Sequence, residues 1–370
     1  MVAAGLPAAA RAQSQSGAGP AVTPGAPPVS VGAPLPARDL PGRPIAAPGP
    51  IQIATLLPTK TPAFARAAAA LLAGVEAARK TAGAPTELLQ FDLPADPAAT
   101  LDALRRSADA AVQVVLGPMT RSAAQAVAEA GTPGLPVIAL APFDGEPPAG
   151  LWPLGLSLDA DARQIARVAL AEAQAGAPGE RPAAAIVNGQ PLFRRAAQAF
   201  AEEFRAGGGD IALSVDWAAG REAAIGKAIG QTKAGAVFLA LDRAGAVAQR
   251  PYCGRLSAFA TSQIDDGRDL AGQADLDGVR FVELPWRVQP DHPALAGFAR
   301  PEPPYGAPEL DRLYALGIDA LRVALEVARG NRYFSFDGAT GLISAGDGRI
   351  ERRGAIATLR DGALVLDGTV

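Results

Sequence analysis

The chain has 370 residues, enough for more than one hydrophobic core, with a net charge of −3, a pI near 5.4, 49% hydrophobic residues and only 5% aromatics. Alanine supplies much of the apolar content, so an alanine-lined, closely packed interior is expected, and no Lys/Arg cluster is long enough to follow a phosphate backbone, which argues against a nucleic-acid partner. One cysteine, Cys253, and one histidine, His292, exclude intrachain disulfides, Cys/His zinc sites and Cys–His dyads; no uncharged apolar run is long enough for a transmembrane helix.

Taken in chain order, Ala10-Arg11-Ala12 before Gln13 has the small-x-small form of a signal-peptidase site, but a basic n-region and a full apolar h-region are missing. The stretch reads as the end of an export signal or as an alanine-rich leader. From Ser14 to Pro50 the residues are mostly Pro, Gly, Ala and Ser, too few of them large and apolar to offset the entropy of ordering. Residues 1–50 are therefore expected to be a signal remnant and linker, with a folded domain over 51–370.

That domain opens on IQIATLLP (51–58), an apolar run of the kind a buried parallel strand needs. A helix over 63–80 follows, then strand 87–92, helix 97–108, strand 112–117, helix 122–130 and strand 135–140. A second half begins after WPLGLS (152–157) with helix 159–175, and continues through strand 183–188, helix 192–205, strand 211–217, helix 222–233 and strand 236–241. The rhythm then loosens: apolar stretches at 256–264 and 278–286, a long helix over about 308–329, and a terminal meander punctuated by Asp337-Gly338, Asp347-Gly348 and Asp361-Gly362.

Two doubly wound α/β lobes followed by a late helix and strands are similar in layout to the type I periplasmic binding proteins, which implies two lobes joined by three crossovers. On that layout the first lobe covers about 51–150 and 285–332, and the second about 151–284 and 333–370. FDGATGLIS (336–344) would carry the chain back into the second lobe, with Phe336 plugging its core, Asp337-Gly338 making the turn, and Gly341 permitting close backbone approach. Four stretches, ATSQI (260–264), GVRFVELPWRVQPDHPAL (278–295), RLYALGIDALRVA (312–324) and FDGATGLISAGDGRIERRGAIATLRDG (336–362), together resemble the penicillin-binding protein activator family, also called LppC/LpoA. The resemblance implies a periplasmic, non-catalytic protein that binds and stimulates a peptidoglycan synthase. The sequence as it stands departs from the family pattern in having no lipobox cysteine and no helical-repeat segment before residue 51.

In such a fold a small ligand lies between the lobes, at the C-terminal ends of the strands. The residues placed there are Thr59, Met119, Thr120, Ser122, Phe143, Asn188, Asp242 and Ser262. In LGPMTRS, amides at a helix start together with Thr120 or Ser122 suit a carboxylate, but Thr120 equally suits a plain N-cap; Ser262 has the same ambiguity. These loops carry few charges beyond Lys60, Arg121, Asp144 and Asp242, which disfavours a tight amino-acid site. A second candidate is a partner-binding surface at Glu283, Trp286, Arg287, Asp291 and His292, because Trp and Arg favour hot spots and the flanking prolines lower the ordering cost. The alternative is a rigid connector with Trp286 buried. No nucleophile elbow, P-loop or metal-ligand cluster is present, so neither catalysis nor a cofactor is expected; the competing function is a solute-binding protein for an amino acid or a peptidoglycan fragment.

Overall fold

The computed structural model describes residues 49–176, 179–267, 274–302 and 304–367. The leader and linker expected over 1–50 lie, apart from Gly49 and Pro50, outside the described residues.

The first lobe is built from β1 (Ile51–Leu57), α1 (Pro62–Thr81), β2 (Thr86–Asp92), α2 (Pro97–Asp109), β3 (Val114–Leu116), α3 (Arg121–Ala130), β4 (Val137–Ala139) and β5 (Leu151–Pro153). Its sheet is wholly parallel in the order β2-β1-β3-β4-β5. β1 and β3 are apolar almost throughout and buried on both faces, as strands covered by helices on two sides must be. Prolines stand at the first turns of α1 and α2, where their missing N–H costs nothing, and Asp96 caps α2 through the amides of Ala98 and Ala99.

The second lobe comprises α4 (Leu158–Gly176), β6 (Ala183–Asn188), α5 (Pro191–Ala206), β7 (Asp210–Asp216), α6 (Glu222–Gly230), β8 (Ala236–Ala240), α7 (Arg243–Gln249), β9 (Ser257–Ala260) and β10 (Arg280–Glu283). The chain then forms α8 (Pro285–Val288) and α9 (Pro308–Ala328), followed by β11 (Phe334–Asp337), β12 (Leu342–Gly346), β13 (Arg349–Arg353), β14 (Ala355–Arg360) and β15 (Ala363–Leu366). The second sheet has the order β15-β14-β10-β9-β8-β6-β7; β14 and β15 join it antiparallel. Stacked Phe200 and Phe238, with ring centroids 4.4 Å apart, fill the core under α4 and α5.

α9 returns to the first lobe and lies along α1. The two helices meet backbone to backbone: a Cβ on Gly74 would fall 1.9 Å from the Tyr314 carbonyl oxygen, and one on Gly317 would fall 2.0 Å from that of Leu71. Only glycine at both positions permits this approach.

Three crossings join the lobes, but their positions differ from the sequence expectation in two places. Leu151–Pro153, which the expected lobe boundary at about 151 assigned to the second lobe, instead forms β5 and completes the first sheet through β4. β11, β12 and β13 form a separate three-stranded antiparallel sheet, and its Phe334, Phe336, Ile343, Ala345 and Ile350 pack on the core of the first lobe. The third crossing therefore falls at Gly354, after β13, and FDGATGLIS stays with the first lobe. The physical reason lies in α9: the buried Asp319 carboxylate accepts from the amides of Ala339 and Thr340 at 2.9 and 2.7 Å and from the Thr340 hydroxyl at 2.6 Å. This carboxylate holds the turn against the first lobe. The close approach expected of Gly341 is present, for a Cβ there would lie 2.2 Å from the Arg353 oxygen at a φ of +137°.

Candidate functional site

The strands of both lobes end at the interlobe cleft, and most of the polar groups expected to serve a ligand there are already used locally. Thr59 donates to Asp92 at 2.7 Å. Thr120 caps α3 by accepting from the amide of Ala123, and Asp242 caps α7 through that of Gly245 at 2.9 Å. Ser122 stands exposed in the first turn of α3, Met119 and Phe143 pack partly buried against the first lobe's cores, and Ser262 is buried in a 3-10 turn. The cavity beside Pro58, Met119 and Thr120 measures about 10 Å³, room for one water. A groove of about 670 Å³ lies instead along the outer side of α1, between Lys80, Tyr305 and Tyr314.

Three polar atoms at the cleft ends of the second sheet make no hydrogen bond among the described residues, one of them the Trp217 indole nitrogen just past β7. Asn188, at the end of β6, donates to Ser214 at 3.1 Å, but its buried Oδ1 has no partner. Thr261, just past β9, is 3% exposed and its hydroxyl has none either.

A charge bridge spans the cleft. Arg121 of the first lobe binds both oxygens of Asp144 at 2.8 Å, and Arg195 from α5 of the second reaches Asp144 at 3.1 Å and Asp159 at 2.9 Å. The hydrogen bond from Arg121, with the charges of Arg121 and Arg195, holds the Asp144 carboxyl below its ordinary range. These groups are exposed, so salt screens them.

Behind the cleft the crossovers are joined by buried charges. Glu283, at the end of β10, is 1% exposed and receives Arg312 of α9 through Nε at 3.1 Å and Nη2 at 2.6 Å. Arg312 also donates to the Ser262 carbonyl at 3.1 Å, while Arg287 lies 2.6 Å from both Glu283 and Asp265. Burial pushes the Glu283 carboxyl up, but Arg312 and Arg287 together outweigh it and hold the pKa below the usual glutamate range. At the other two crossings Arg352 pairs with Asp161 of α4, and Gln164 closes a two-way bond with Gly354, donating to its carbonyl at 2.7 Å and accepting its amide at 3.0 Å. Burial raises the Asp161 carboxyl despite Arg352.

This cluster decides between the two sequence readings of the 283–292 loop. Trp286 is 1% exposed, tilted against Tyr314 with centroids 5.4 Å apart and roofed by the Arg300 guanidinium at 3.5 Å. Glu283 and Arg287 are spent in ion pairs. Only Asp291, exposed, and His292, half-buried with Nδ1 accepting from the Ala294 amide, remain near the surface. The loop is a connector, and the surface expected around Trp286 does not form because the indole is needed in the first lobe's core. Sequence reasoning missed Asp161, Arg195, Arg312, Asp319 and Arg352. Arg312 and Asp319 carried a usable signal: they stand seven residues apart on one face of an apolar helix, where a buried charge requires a partner.

Comparison with known proteins agrees with this architecture. A family model described as “LppC putative lipoprotein” matches residues 241–362. A solved structure from Chromobacterium violaceum, described as a “putative branched-chain amino acid ABC transporter”, is 33% identical, with a TM-score of 0.70 over 84% of this chain and 100% of that one. The C-domain of LpoA from Haemophilus influenzae, described as a regulator of PBP1A, matches with a TM-score of 0.68 and 20% identity over 85% of this chain and 99% of that domain. Full-length LpoA from the same organism matches over 87% of this chain, which spans 60% of its length; at 20% identity both LpoA matches speak to the fold alone. No curated protein matches the chain. The LppC match over residues 241–362, from the end of β8 to the terminal strands, and the 33%-identical relative covered along its whole length place the chain on the type I periplasmic-binding-protein fold, with a C-terminal third similar to the LppC family.

Proposed function

We propose that this protein is a non-catalytic regulator of the cell envelope, acting in the periplasm by binding and stimulating a bifunctional peptidoglycan synthase. The observation that carries this reading is the set of cross-links between the lobes. Glu283–Arg312, Arg352–Asp161 and Gln164–Gly354 link the segments at the three crossings in low-exposure surroundings, and of the cleft groups Thr120 and Asp242 are spent on helix caps and Thr59 on Asp92. A solute-gated protein needs lobes that swing and a cleft with convergent free groups; a docking protein needs a fixed shape. The description of LpoA as a regulator of PBP1A points the same way. The test is glycan-chain polymerisation by the purified synthase of the same cell, with and without this protein. The rate should rise saturably with its concentration, and an unchanged rate at saturation would count against the proposal.

A second reading, capture of a small amino acid, has two supports: the unpartnered Asn188 Oδ1 and Thr261 hydroxyl at the cleft, and the description of the 33%-identical relative as a branched-chain amino acid transporter component. A thermal shift with millimolar leucine, isoleucine or valine that Asn188→Ala abolishes would favour it.

A further inference from the structure

We draw no further inference here: the strongest candidate, the groove of about 670 Å³ between α1 and Tyr305 on the outer side of the first lobe, has walls that carry charges of both signs at Glu76, Lys80 and Glu302, and nothing in the structure shows what covers it.

Discussion

Glu283 of the second lobe and Arg312 of the first are joined by a buried ion pair, 2.6 Å between Oε2 and Nη2, at the second crossing of the chain. Arg287 shares the carboxylate and carries the link on to Asp265. Removing one partner of such a pair leaves the other charged and buried, so Glu283→Gln should cost about 3–5 kcal/mol of unfolding free energy in urea. Arg287→Ala combined with Asp291→Ala should also destabilise, through Arg287.

The same residue sets a pH dependence. Because Glu283 has a lowered folded pKa, its stabilisation is complete above the ordinary glutamate range and is lost as pH falls through the depressed value. The gap in melting temperature between the parent protein and Glu283→Gln should therefore narrow on acidification.

Asp319 should behave in the opposite sense. Burial raises its pKa despite the hydrogen bonds from Thr340 and Ala339, so its contribution is full below the ordinary aspartate range and fades as pH rises through the raised value. Asp319→Asn should cost about 1–3 kcal/mol by leaving a donor of the FDGATG turn unmatched, with the largest difference from the parent protein at acid pH.

At the α1–α9 contact, Gly74→Ala and Gly317→Ala should each destabilise by about 1–3 kcal/mol, since backbone atoms rather than flexible side chains occupy the space a methyl group needs. Calorimetry on the two single variants and the double would also show coupling between them, because both report one helix contact.

The cleft bridge is a contrasting case. Asp144→Ala removes an exposed partner of Arg121 and Arg195, and its melting temperature should match that of the parent protein in high salt, where such pairs are screened. Thr120→Ala should lose about 1 kcal/mol as a cap and leave synthase binding unchanged.

Much of this architecture was legible in the residues. The alternating apolar runs and helical stripes marked the strands and helices of both lobes, because burial on two faces leaves a plain pattern. The place of the third crossing was not legible. A β-meander reads alike whichever lobe it covers, and the deciding contact, Asp319 to Thr340, joins residues 21 apart through a carboxylate hidden inside α9. The fate of Trp286 was equally open: the prolines and charges of its loop suit a surface patch or a buried connector, and only the positions of Tyr314 and Arg300 choose between them. α7 escaped notice because its seven residues, RAGAVAQ, show no apolar stripe.

On the proposed function the two lobes stay locked and the protein works through a fixed surface. This is tested most directly by the interlobe distance distribution from double electron–electron resonance. Spin labels at Ala130→Cys on α3 and Lys233→Cys beyond α6, both exposed positions, would be placed in a Cys253→Ser background. Locked lobes give one narrow distance, unchanged by leucine, isoleucine or valine and unchanged by the synthase, and broadened by Glu283→Gln. Two populations in the parent protein, with one selected by an amino acid, would contradict it.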